Sequence, residues 1–290
     1  MKLAVPAKAT PYLEVAPLAI VLLFFFVIPM AMVLFASFLD YDMSGIIPTF
    51  TFHSYIDLFT QRSTLDLYLQ TLKYALIVWA ITLTLGFTIA YFLVFHIRNP
   101  LIAIGLLLLC TVPFWTSNVI RMIAWIPLLG KYGVFNRALM ASGIVDQPVQ
   151  WLLFSDFAVI LAYVYLFTLF MIVPIFNSMA RIDRSLIEAA IDGGAGRFRV
   201  LTEVVIPLSK TGIALGSILV ITLVMGDFFV VKIMSGGRSA SVVVSVFEDV
   251  NLLFYPPAAA SAVVLLIIVT LIVSLILRVV DVRKELTGER

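Results

Sequence analysis

Six apolar runs, each long enough to cross a bilayer, constrain this chain more than any other feature. They fall near residues 15–38, 74–95, 101–120, 157–180, 211–231 and 257–277. A membrane span takes about 20 apolar residues. In hydrocarbon every backbone N–H and C=O must be paired within the segment, so runs of this length read as helices. The chain is 62% hydrophobic and 12% charged, against roughly 25% charged residues in soluble domains. So much apolar surface needs lipid around it. The expected fold is an all-α membrane protein of six transmembrane helices, forming one multi-pass domain over residues 1–290. The first run is too long for the 7–15-residue core of a signal peptide and is read as a retained span.

Lysine and arginine set orientation. The amino-terminal tail, the turn at 96–100, the 181–210 segment and the carboxy-terminal tail carry Lys2, Lys8, Arg98, Arg181, Arg184, Arg197, Arg199, Lys210, Arg278, Arg283, Lys284 and Arg290. The opposite side carries Arg62, Lys73, Arg121, Lys131, Arg137, Lys232 and Arg238. This bias puts both termini in the cytoplasm, and an even number of spans agrees with both being on one side. The longer loops, 39–72 and 127–156, then face outward. A net charge of +2 gives no reason to expect a nucleic-acid partner; the partner implied by composition is membrane lipid.

Between the fourth and fifth runs lies a polar island, residues 181–207, with Arg181, Asp183, Arg184, Glu188, Asp192, Arg197, Arg199 and Glu203. Ile182, Leu186, Ala189 and Ala190 recur at helical spacing. Gly193 and Gly194 break the pattern, and Phe198, Leu201 and Val205 resume it before Pro207. The expected shape is helix, glycine turn, helix, with Gly194 free to take a positive φ at the corner. Ala189 and Ala190 leave a low surface that another protein can approach closely.

The spacing Glu188-Ala189-Ala190, three residues, Gly194, nine residues, then Val204-x-Ile206-Pro207 resembles the E-A-A…G…I-x-L-P loop of the membrane subunits of bacterial ABC importers. Both hydrophobic departures, Val204 and Ile206, are conservative. Val112-Pro113-Phe114-Trp115-Thr116, with Arg121, Gly133, Asn136 and Pro148, further resembles the spermidine/putrescine branch. The resemblance implies a permease subunit in the bacterial inner membrane, with the type I importer fold. It implies that Glu188, Ala189, Ala190, Asp192, Gly194 and Pro207 form the ATPase-coupling loop. It also implies a second permease subunit, expected to be a different chain, two cytoplasmic ATPases carrying the ATP and Mg, and an extracytoplasmic binding protein. The implied substrate is a polyamine. Related permeases take amino-acid-like compounds, opines, thiamine or iron.

No G-x-x-x-x-G-K-[ST] phosphate loop, H-E-x-x-H or G-x-S-x-G occurs. No catalytic residue, metal site or cofactor on this chain is therefore expected. Asp227 is the one charged residue inside a run. Such charges are costly and usually face a cavity or a partner. With Phe228 beside it, the carboxylate suits an ammonium ligand by charge and cation–π attraction. The alternatives are that it reaches the interface or pairs with Arg121 or Lys232. Trp115 is a second candidate for the substrate path, against simple packing. Arg121 is a third, against snorkelling to the outer interface. Gly212-x-x-x-Gly216 permits close helix approach, within the chain or against another subunit. An ion-coupled secondary transporter would favour repeats and several buried charges, and neither is evident.

Overall fold

The computed structural model describes residues 10–42, 45–97 and 99–279. Both tails and Arg98, which carry part of the orientation argument, lie outside the described residues. Among the described residues four helices are long and apolar enough to span a membrane: Val15–Ala36, Arg62–His96, Asp156–Met179 and Tyr255–Arg278. Two further pairs qualify as bent spans, Pro100–Trp115 with Asn118–Ala141, and Arg197–Leu208 with Lys210–Gly226, which gives six where each pair is one span.

Contacts divide the chain into two units, residues 1–65 with 245–266, and 66–244 with 267–290. In the first unit, Ile28 N donates to Leu23 O across a π turn at Leu23–Val27. Pro29 follows at once. Proline has no N–H to donate, and the wider i→i−5 step carries the ladder up to it. A short antiparallel hairpin, Leu39–Asp42 with Gly45–Phe50, and a helix, His53–Thr60, then occupy the expected outer loop. Phe38 seats this element, with ring centroids 5.5 Å from Phe52 and 5.3 Å from Tyr55. Buried Ser37 donates to Leu34 O and meets Tyr55 Oη at 2.8 Å.

The second unit is built on the Asp156–Met179 helix, started by Ser155 Oγ accepting from Ala158 N at 3.2 Å. The Lys210–Gly226 helix crosses it closely. A Cβ on Gly212 would lie 2.4 Å from Pro174 O, and one on Gly216 2.7 Å from Met171 Sδ. The Gly-x-x-x-Gly pair is therefore a contact within this chain. Asn136, fully buried, holds the 130–149 segment: its Nδ2 donates to Gly130 O and Val149 O, and its Oδ1 accepts from Val149 N.

Three apolar runs differ in shape from plain spans. The second helix begins at Arg62, twelve residues before its apolar part, because polar residues at a helix end still pair their backbones internally. The third run is broken: helix to Thr111, a 3₁₀ turn at Val112–Trp115, and an 89° bend before Asn118. Extended backbone at Thr116 and Ser117 makes the corner. The fifth helix stops at Gly226; Asp227 is extended, and its carboxylate accepts from Val230 N at 2.8 Å, starting the short Phe229–Met234 helix.

Candidate functional site

The island is two arms joined by a glycine turn. Asp183 starts the first, its carboxylate accepting from Ser185 N at 3.0 Å. That hydrogen bond holds the exposed Asp183 carboxyl below its ordinary range. The helix Arg184–Asp192 carries Glu188, Ala189, Ala190 and Asp192. It ends in a Schellman closure: Gly194 N donates to Ile191 O at 2.9 Å, and Ala195 N to Ala190 O at 3.0 Å. Gly194 takes φ +83°, which glycine adopts without a Cβ penalty. The second arm runs Arg197–Leu208, with a π turn at Leu201–Val205 leading to Pro207. It joins the Lys210–Gly226 helix at a bend of 67°.

Burial separates anchor from free surface. Val200, Val205 and Ser209 are buried, and Ser209 Oγ donates to Val205 O at 2.7 Å. Leu186, Ile191 and Phe198 are exposed, Phe198 at 78%. These lie alongside the exposed Glu188, Ala189 and Asp192. Of the second arm's three spaced apolar residues, Val205 faces the protein and Phe198 faces away, a division that spacing alone does not reveal.

At the opposite end of the same helices, Asp227 and Phe228 are half-buried. Tyr163 Oη lies 3.3 Å from both Asp227 O and Oδ1. The Tyr163 ring stands 6.5 Å from Tyr74 and 5.6 Å from Phe167. Tyr74 Oη donates to Asp156 Oδ1 at 2.7 Å. Two carboxylates thus bracket two tyrosines. Asp156 also accepts from Gln70 Nε2 at 3.0 Å, Lys73 Nζ at 2.9 Å and Ser239 Oγ. Sequence reading passed over Asp156 because it stands just outside an apolar run and its donors lie 82–86 residues away in the chain.

Arg121 is buried within its own chain rather than extended into open space. It is 8% exposed, with its guanidinium 5.0 Å from the Phe114 ring centroid. Nη2 donates to Asn118 Oδ1, while Nε and Nη1 have no hydrogen-bond partner among the described residues. The helix it stands on packs against Phe229–Met234, yet no ion pair within 4.0 Å joins it to Asp227 among the described residues. Trp115, at the corner of the broken span, is 82% exposed.

Four straight helices and two bent pairs with the length and apolarity of membrane spans, among the described residues, define a multi-pass membrane component. Residues 83–285 match the family described as binding-protein-dependent transport system inner membrane component. The chain is 34% identical over 221 residues to the spermidine/putrescine transport system permease protein PotB of Escherichia coli, covering 75% of this chain and 78% of that protein. It is likewise 34% identical over 220 residues to PotB of Haemophilus influenzae, covering 75% of each. A solved bacterial alginate ABC transporter, in complex with an alginate-bound periplasmic protein, superposes at TM-score 0.70 over 92% of both chains, at 16% identity. That likeness speaks to the fold. The chain belongs to the binding-protein-dependent transport system inner membrane component family, and is an ABC importer permease subunit with the type I fold.

Proposed function

We propose that this permease carries a polyamine across a bacterial inner membrane, driven by ATP hydrolysis on a neighbouring subunit that docks on residues 181–207. The observation that carries the docking half is the island itself. A rigidly closed helix presents Glu188 and Ala189 beside exposed Leu186 and Ile191. Its second arm is anchored by buried Val200, Val205 and Ser209. Exposed apolar side chains rimmed by charge are the usual mark of a protein contact.

The island's connections supply a mechanism. A push on the first arm passes through the Gly193–Gly194 turn into the second arm. The second arm meets the Lys210–Gly226 helix at the 67° elbow. That helix is locked on Asp156–Met179 at Gly212 and Gly216, so the two move as one body, and Asp227 rides at its far end. Closure of a pair of ATPases, with ATP and Mg held on those chains, would tilt this body and alternate the access of the Asp227 region. A second permease, taken to be a different chain, would supply the other wall, and an extracytoplasmic binding protein would deliver the substrate. The island and both termini would face the cytoplasm.

Similarity to the spermidine/putrescine permeases supports the choice of substrate. So does the chemistry around Asp227: a half-buried carboxylate with the half-buried Phe228 next to it in the chain suits a primary ammonium through charge and a ring face. Arg121 has no part in this path, because its cation repels ammonium and is enclosed by its own chain. The test is uptake of labelled spermidine and putrescine by cells whose other polyamine importers are deleted. Uptake should require this chain and ATP, and should fall at least ten-fold in Asp227→Asn. Uptake that survives ATP depletion and stops with an uncoupler would instead indicate ion coupling.

A further inference from the structure

We propose that the groove between the island ends of the Asp156–Met179 and Lys210–Gly226 helices holds an anionic phospholipid. Its phosphate would sit at Arg181 and one acyl chain would lie along the groove. The inference rests on the reading above in one respect, that the island faces the cytoplasm and the groove therefore opens to the inner leaflet.

The groove has a volume of about 630 Å³. Along the two helices its lining is apolar, formed by Val173, Leu215, Ile218 and Leu219. Its island end is polar, formed by Asn177, Arg181 and Thr211. Gly212 lines it where the two backbones meet, and any side chain there would close the space. Thr211 to Leu219 is eight steps along one helix, which at 1.5 Å per step covers about 12 Å. Half of a hydrocarbon core of about 30 Å is about 15 Å. A groove of that length opening at the island end matches the depth of one leaflet.

Charge selects the headgroup. Arg181 is exposed, and among the described residues no ion pair or hydrogen bond engages its guanidinium. The neighbouring Asp183 carboxylate accepts from Ser185 N through Oδ1; no ion pair within 4.0 Å joins it to Arg181 among the described residues, and Lys210 offsets its charge. Lys210, also exposed, directly precedes Thr211. A guanidinium matches a phosphate with two parallel hydrogen bonds, and Asn177 and Thr211 supply further polar groups. Basic pockets between spans on the cytoplasmic side bind anionic headgroups, at about 1 kcal/mol per cation near the surface. A polyamine is excluded by the same charge.

The experiment uses the assembled transporter in nanodiscs of mixed phosphatidylglycerol and phosphatidylcholine, with a photoactivatable phosphatidylglycerol. Label should map to peptides containing 173–181 and 211–219. Arg181→Gln should reduce it about five-fold, the factor that about 1 kcal/mol confers. Leu219→Trp should reduce it without touching any charge, since Leu219 is itself partly exposed. Equal labelling by photoactivatable phosphatidylcholine, label elsewhere, or cross-links from these peptides to the second permease would overturn the proposal. Spermidine uptake by the same complex in proteoliposomes of the same lipids, loaded with ATP and given the binding protein, separates the two readings: uptake with an unlabelled groove contradicts the lipid site alone, and absence of uptake contradicts the proposed transport.

Discussion

The Pro174 carbonyl oxygen lies 2.4 Å from where a Cβ on Gly212 would stand. Proline's carbonyl and glycine's bare Cα together let two spans touch backbone to backbone, and in the proposed mechanism that contact carries the push on the island onward. Gly212→Ala must push backbone against backbone, because Ile175 Cα is also only 3.0 Å away. Overpacking of this kind costs roughly 1–3 kcal/mol. The melting temperature of the purified complex should fall. Gly105→Ala, where an added Cβ meets nothing within 4 Å, should leave it unchanged.

Gly194 makes a separate demand. Its φ of +83° costs an ordinary residue roughly 1–2 kcal/mol, although a side chain there would meet open space. Gly194→Ala should therefore keep the membrane body intact while loosening the first arm. Recovery of the ATPase with the permease should drop several-fold at an unchanged melting temperature of the permease. Gly194→Asn should be milder, since asparagine tolerates this region.

These two glycines show what one sequence can disclose. A close-packing pair and a turn that needs positive φ leave marks at fixed local spacing, and both were readable before any coordinates. The break at Thr116–Ser117 was not, because hydropathy sums side chains and is blind to the direction in which the chain continues. Asp156 was hidden for another reason: its four donors arrive from Gln70, Lys73, Tyr74 and Ser239, and no local pattern announces them. Arg121 ran against the rule for cations at span ends. Snorkelling requires a free path to water, and the bend at residue 116 folds Phe114 over the guanidinium instead.

Asp156 and its donors should rank by burial. Lys73 is half-exposed and Asp156 about a third exposed, at 49% and 36% of their side chains, so Lys73→Met should cost less than about 1 kcal/mol. Asp156→Ala strands the phenol of buried Tyr74 and three further donors, and a buried unpaired donor alone costs about 1–3 kcal/mol. Thermal melts should show a clear loss for Asp156→Ala and a slight one for Lys73→Met.

Arg121→Met should preserve or raise stability. It removes a buried charge whose Nε and Nη1 have no hydrogen-bond partner among the described residues, and keeps much of the side chain's volume. Replacing buried charges by apolar groups of similar size is often neutral or stabilising. A melting temperature lowered by several degrees would show that the guanidinium has a partner in the assembled transporter.

The island's first turn should respond to acid. Asp183 has a depressed folded-state pKa, so its cap is present above the unfolded carboxyl range and is lost as pH falls through the folded value. Hydrogen exchange at Ser185, corrected for intrinsic rates, should quicken as the carboxyl protonates. Asp183→Asn should remove most of this pH dependence, because its amide oxygen still accepts.

Cross-linking from the island tests the account most directly. With Cys110 replaced by serine, Ala189→Cys should join covalently to the ATPase subunit in inverted membrane vesicles, and ATP should change the yield. In intact cells it should resist a membrane-impermeant thiol reagent. Labelling of residue 189 from outside the cell would contradict the account, because an island on that face has no cytoplasmic ATPase to receive work from.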